Sequence, residues 1–194
     1  MKIWKTGAML ALGGIIMSTI FIGCSSSNRE SGSAPVPPAA ATSESGDASA
    51  AKRGTAVGDL APDFQLAQTD GSPVSLSALR GQPAVLVFWT AWCPTCKEEA
   101  PHINQLAAEY EPRGVRVLGI NIQDSEARSA GGIKEFKIRY AVARDADASV
   151  ARRYHVVGTP TVVLLDSTGV VRYFGNELPS DYSARLDALL AEKV

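Results

Sequence analysis

Two cysteines three residues apart, Cys93 and Cys96, stand where a continuous apolar run, Pro83 to Thr90 (PAVLVFWT), gives way to an amphipathic segment, Pro94 to Tyr110. An apolar run rich in valine and aromatic residues is what a strand covered on both faces requires. In the segment that follows, Cys96, Ala100, Ile103, Ala107 and Tyr110 recur at helical spacing, the stripe of a helix with one buried face. Pro94 suits the first helical turn, where its missing N–H has no partner to lose. The cysteines therefore sit at a strand-to-helix junction, Cys93 at the open N-terminus and Cys96 a turn inside. Unpaired backbone N–H groups and the helix dipole stabilise a thiolate there. The spacing predicts Cys93 as the exposed nucleophile and Cys96 as the sheltered, resolving thiol.

A C-x-x-C pair also serves as half of a zinc site or as a purely structural bridge. The chain has three cysteines and two histidines, with no second cysteine pair. His102 lies six residues beyond Cys96, on roughly the opposite helix face, which argues against zinc. So short a loop recovers little chain entropy, which argues against a structural staple. No metal site is expected, and reversible redox exchange is the favoured reading. A copper-delivery module using Cys93, Cys96 and His155 stands as an alternative from another class.

Val115 to Ile122 (VRVLGINI) and Thr161 to Leu165 (TVVLL) predict two further buried strands. Asp166-Ser167-Thr168-Gly169 reads as the turn of a hairpin joining Thr161–Leu165 to Val170–Phe174. Helices are expected at Glu126–Phe136 and Ala148–Tyr154. A last helix, capped by Ser180, carries the stripe Tyr182, Leu186, Leu189 and Leu190. Strand, helix, strand, helix, hairpin and helix predict an α/β domain over 57–194, a mixed sheet with helices on its faces.

The N-terminal part reads differently. Lys2 and Lys5 precede an uncharged run, Gly7 to Gly23, that ends at Cys24, the order of a secretory signal over 1–23. An uncleaved N-terminal anchor is the other reading of the same run. Residues 24–56 are rich in serine and alanine, with no aromatic residue and one large aliphatic, Val36. Such a stretch cannot bury enough apolar area to offset its ordering entropy. It is expected to act as a flexible tether with a root-mean-square reach of about 30 Å. A net charge of −1 over 194 residues leaves no basic field for nucleic acid.

Three segments carry a resemblance. Trp89-Thr90-Ala91-Trp92-Cys93-Pro94-Thr95-Cys96-Lys97-Glu98-Glu99-Ala100-Pro101 resembles the active-site segment of thioredoxin-fold proteins, above all the TlpA/ResA-like group that includes CcmG-type reductases. Ala61-Pro62-Asp63-Phe64 resembles that group's N-terminal signature, which a short hairpin follows, and Gly158-Thr159-Pro160-Thr161 resembles its cis-proline loop. The resemblance implies a thioredoxin-like fold with an N-terminal β-hairpin extension and a redox-active Cys93–Cys96 disulfide. It implies a cis bond before Pro160 and a substrate-binding role for Trp92, Thr159 and Pro160, with Thr159 pairing to an extended substrate segment. Thioredoxin keeps a buried carboxylate where this chain has Val87. Glu99, three residues after Cys96, is implied to manage that cysteine's proton, whereas Glu98 reads as a solvated first-turn acid. Phe21-Ile22-Gly23-Cys24 resembles the lipobox of bacterial lipoproteins, with Phe21 where leucine is usual, and implies lipidation of Cys24.

The chemistry implied is attack of Cys93 on a substrate disulfide and resolution by Cys96, without a cofactor. No histidine or arginine lies inside the motif and two acids follow it, which disfavours the thiolate and predicts a reductant. The implied partners are a disulfide-containing protein, with apocytochrome c as the client of the resembled reductases, and a membrane thiol protein that supplies electrons. The implied place is the cell envelope, lipid-anchored and facing the periplasm or exterior. A peroxiredoxin is the enzymatic rival, since Thr90-Ala91-Trp92-Cys93 matches T-x-x-C, but Leu86 stands where that family needs proline.

Overall fold

The computed structural model describes residues 52–192. The expected signal segment, Cys24 and the tether up to residue 51 lie outside them. Lys52 and Gly54, at the end of the segment read as tether, bond to the backbone of Leu60: Leu60 N–H donates to Lys52 O at 2.8 Å and Gly54 N–H to Leu60 O at 3.0 Å.

A hairpin opens the fold, β1 (Gln65–Gln68) and β2 (Pro73–Ser75), followed by a one-turn helix α1 (Leu76–Leu79). Next come β3 (Ala84–Trp89), α2 (Pro94–Tyr110), β4 (Arg116–Ile122) and α3 (Glu126–Glu135). The chain continues through β5 (Ala141–Asp145), α4 (Ser149–Arg153), β6 (Thr161–Leu165), β7 (Val171–Gly175) and α5 (Tyr182–Ala191). The strands form one mixed sheet in the order β2-β1-β5-β4-β3-β6-β7. β3, β4 and β5 run parallel, while β6 pairs antiparallel to β3 and the hairpin strand β1 antiparallel to β5. This is the thioredoxin-like α/β architecture expected of the sequence, with the N-terminal hairpin added at one edge.

Every residue of β3 is buried, because both faces of the sheet are covered. Leu86 and Phe88 pack with Leu118, Ile120, Phe64 and Tyr154 on one side. Val85 and Val87 point the other way, against Ile103 and Leu106 of α2 and Leu186 of α5. The two-residue period of the strand assigns alternate side chains to opposite layers, so the run reads as unbroken apolar. Beyond these layers Trp89 packs with Phe136, Ala100 and both cysteines, so the site stands on its own apolar floor.

Two features differ from expectation. β5 (AVARD) carries no strand signal in the sequence, since its Arg144 and Asp145 break the apolar pattern. Asp145 is fully buried and accepts N–H bonds from Val150 at 3.2 Å and Ala151 at 2.8 Å, capping α4 from the strand before it. Ser180 is not the cap of the last helix: Asp181 occupies that position and makes no side-chain cap bond.

The β6–β7 turn is clamped by Asp166. Its Oδ1 accepts from Thr168 N (2.9 Å), Thr168 Oγ1 (2.7 Å) and Val170 N (3.0 Å), and its Oδ2 from Arg172 Nε (2.8 Å). Burial alone would raise its pKa, but the Thr168 hydroxyl and the Arg172 guanidinium outweigh it and hold the carboxyl below its usual range. A depressed carboxylate stabilises the fold above the unfolded-state pKa and loses that contribution as pH falls through the folded value. Asp166→Ala is therefore expected to lower stability by about 2–4 kcal/mol near neutral pH. In urea titrations the gap to the parent narrows as pH drops below about 4.

Candidate active site

Strand β3 ends at Trp89 and the chain turns into α2 through Thr90–Cys93, closed by Cys93 N–H on Thr90 O at 3.3 Å. Cys93 is the N-cap of α2, with Pro94 in the first turn. Cys93 and Cys96 are joined as a disulfide, their Cα atoms 5.2 Å apart. The Cys96 N–H donates to Cys93 Sγ at 3.1 Å, so an otherwise unpaired helix N-terminal amide is aimed at this sulfur.

Cys93 is not exposed, contrary to the sequence expectation: it is 4% accessible and Cys96 5%. What closes over it is the loop before β6, where the Thr159–Pro160 peptide is cis, as the resemblance implied. Thr159 O lies 3.2 Å from Cys93 Sγ and accepts from Thr95 Oγ1 at 3.3 Å. Thr95 Oγ1 is itself 3.2 Å from Cys93 Sγ. The sulfurs differ in neighbours rather than in exposure. Cys93 meets a backbone carbonyl and a hydroxyl at the rim, and Cys96 faces inward.

Beside that rim runs an open groove of about 360 Å³, lined by Trp92, Ile122, Gln123, Arg152, Val157 and Thr159 among others. Trp92 is 69% exposed and Val157 96%, two large apolar side chains of this groove facing solvent. Thr159 thus belongs both to the groove and to the sulfur's contact shell.

On the inner side, Cys96, Glu99, Val87, Trp89, Tyr140 and Pro160 border a cavity of about 10 Å³. Glu99 shares the cysteine's face of α2, as its spacing required, while Glu98 is exposed. The Glu99 side chain is 18% accessible. Its Oε1 accepts from Leu178 N at 2.9 Å, and its Oε2 lies 3.4 Å from His102 Nδ1. Burial, and then the charge of Glu99, push the Tyr140 hydroxyl above its ordinary pKa, so that phenol stays protonated. The His102 contact follows an i, i+3 spacing visible in the sequence. The Leu178 contact joins residues 79 apart and had no local signal.

His155, the third ligand of the copper alternative, is exposed. Among the described residues no three histidine, cysteine or acidic side chains are grouped to hold a metal ion. Cys93, Cys96, Glu99, Trp92, Thr159 and Pro160 come together at one end of the sheet. Cys24 lies outside the described residues.

A disulfide at the N-terminus of the helix after the central strand, apposed to a cis-proline loop, defines a protein of the thioredoxin-like fold class. The chain belongs to the AhpC/TSA family, which residues 57–174 match. It is 31% identical to the thiol-disulfide oxidoreductase ResA of Geobacillus kaustophilus over 71% of this chain and 80% of that one. To the ResA of Oceanobacillus iheyensis it is 35% identical over 59% of this chain. It spans 62% of that relative, under two thirds of its length. Among solved structures it is similar to a Chlorobium tepidum protein assigned as thiol:disulfide interchange protein DsbE, with a TM-score of 0.62 and 32% identity, covering 70% of this chain and 96% of that one. A secreted disulfide oxidoreductase of Mycobacterium tuberculosis, homologous to E. coli DsbE, superposes with a TM-score of 0.56 at 29% identity, covering 66% and 95%.

Proposed function

We propose that this protein is an envelope thiol-disulfide oxidoreductase that reduces disulfides in protein clients. The observation that carries the reading is the placement of Cys93 Sγ, 3.1 Å from a helix N-terminal amide and 3.2 Å from Thr159 O. Reduced Cys93, as the thiolate, attacks one sulfur of the client disulfide and expels the other as a thiol. Cys96, once deprotonated, then attacks Cys93 Sγ, releasing the reduced client and leaving the Cys93–Cys96 bridge. Two electrons pass to the client, so a membrane thiol protein must return two to the bridge. Trp92 and Thr159 hold an extended client segment across the groove, Thr159 through its backbone. The ResA and DsbE likenesses support oxidised apocytochrome c as the client. Residues 57–194 form the redox domain, to which 52–56 are joined through Leu60, and the stretch from Cys24 up to that point serves as its tether. The signal over 1–23 and lipidated Cys24 keep the domain at a membrane, facing the periplasm or exterior.

The electrostatics of the motif predict the direction. The dipeptide between the cysteines, Pro94-Thr95, brings no cation, and Lys97, next along α2, is committed to Glu135 at 2.8 Å. In a glutathione or dithiothreitol redox buffer the reduction potential is expected nearer the thioredoxin value, about −270 mV, than that of a strong oxidant, about −120 mV. A value at the oxidising end overturns the reductant reading.

The family match gives the peroxiredoxin reading one supporting observation, and the site opposes it. Thr90 Oγ1 is buried without a partner, and Leu86 is fully buried inside β3 where proline would be required. Stoichiometric peroxide consumption that survives Cys96→Ser is the result that would install it.

A further inference from the structure

Asp124 is a buried carboxylate that the chemistry above does not use. It follows β4, is 5% accessible, and its Oδ2 accepts from two donors: Ala91 N–H at 2.7 Å and Asn121 Nδ2 at 2.9 Å. Ala91 is the second residue of the Thr90–Cys93 turn. In a turn closed by the fourth residue's N–H, the second residue's N–H has no partner within the turn. A half-buried orphan amide there would be costly, and the carboxylate supplies its acceptor.

The acceptor is anchored in turn. Asn121 is 1% accessible and sits on β4 directly opposite Trp89, the last residue of β3, so the strand beside the turn orients Asp124. Gln123 takes a left-handed φ of 55°, which turns the chain sharply between Asn121 and Asp124. On the other side of the turn α3 presses close. A Cβ at Gly132 would fall 2.7 Å from Ala91 Cβ, a distance only glycine permits. Ala91 is thus gripped by a charge-assisted hydrogen bond and a glycine contact.

While the disulfide is closed, Cys93 is held to α2 by a covalent bond as well as by the backbone. Once it opens, the place of Cys93 Sγ against Thr159 O depends on the turn. We propose that Asp124 is a positioning residue for exchange at Cys93, anchoring the turn that aims this sulfur, with Asn121 orienting the carboxylate. The inference rests on the oxidoreductase reading and adds to it the residue that keeps the nucleophile in register.

The test compares the full chain with Asp124→Ala and Asp124→Asn, in the reaction of reduced Cys93 with oxidised glutathione. Asp124→Ala is expected to slow exchange by about tenfold, since a small misplacement of a reacting atom costs that much or more. Asp124→Asn is expected to stay within about threefold of the parent, because its amide oxygen replaces the acceptor. Both donors, Ala91 N–H and Asn121 Nδ2, meet one oxygen of the carboxylate, and the amide oxygen can take both without any turn of Asn121. Amide exchange at Ala91 should rise in Asp124→Ala while the β3 and β4 amides stay protected. Parent-rate exchange in Asp124→Ala, or Asp124→Asn as slow as Asp124→Ala, overturns the inference alone. A parent that does not react with glutathione overturns the oxidoreductase reading and this inference with it. If Asp124→Ala does not fold, Asn121→Ala takes its place. Slower exchange with a more labile Ala91 amide supports the role there, and the parent rate refutes it.

Discussion

Cys96→Ser is expected to arrest the protein on its client, and Cys93→Ser to leave it inert. With Cys96 replaced, Cys93 still attacks, but among the described residues no second thiol is left to displace the client, so a mixed disulfide accumulates stoichiometrically. Multiple-turnover reduction of a protein disulfide then falls by about 10³-fold or more. With Cys93 replaced, the remaining sulfur lies on the inward face of α2 beside Val87, Trp89 and Glu99, away from the groove. No adduct should form. Non-reducing electrophoresis after incubation with an oxidised client, followed by mass spectrometry of the trapped species, reads both outcomes. Equal trapping by the two variants would mean that position at the helix end does not assign the roles. Because Cys93 and Cys96 are almost equally buried, this experiment separates them where accessibility does not.

The parts of the molecule legible in the sequence are those whose determinants are local. The helix Pro94–Tyr110 and the strand Thr161–Leu165 have the bounds the sequence predicts because their signals lie within a few residues: a proline at the first turn, a stripe at helical spacing, an unbroken valine and leucine run. Trp89 to Cys96 could be read as a redox junction because a strand, a turn and a helix start leave one place for two such sulfurs. What stayed hidden depends on chain segments that meet only after folding. β5 becomes a strand by lying between β4 and β1, and its Asp145 is buried for the sake of the next helix. The Ala91–Asp124 bond spans 33 residues and the Leu178–Glu99 bond 79. The burial of Cys93 depends on the Thr159–Pro160 loop closing over it, a contact between residues 66 apart. Periodicity reports which side chains turn inward, not which distant backbone will cover them.

Glu99→Gln is expected to slow the resolving step by about 10²-fold while leaving the first attack by Cys93 within about threefold of the parent. Cys96 must lose its proton before it can displace the client, and its thiol is shut from solvent. Of the other residues around the small cavity beside it, Glu99 and Tyr140 are the ones that titrate. Tyr140 is excluded as the base, since burial and the neighbouring Glu99 charge hold its hydroxyl protonated. The cavity has room for about one water molecule, so the proton reaches Glu99 directly or through that single molecule. Glutamine preserves the shape and the bond from Leu178 N–H but cannot take the proton, so the variant separates chemistry from packing. Glu98→Gln, at an exposed position, is the matched control and should resolve at the parent rate. Rapid-quench measurement of mixed-disulfide formation and decay distinguishes the two steps. Decay at the parent rate in Glu99→Gln would show that the proton leaves by another route. Slowing of both steps alike would instead mean that the carboxylate organises the whole helix end, through Leu178, and not the one thiol it borders.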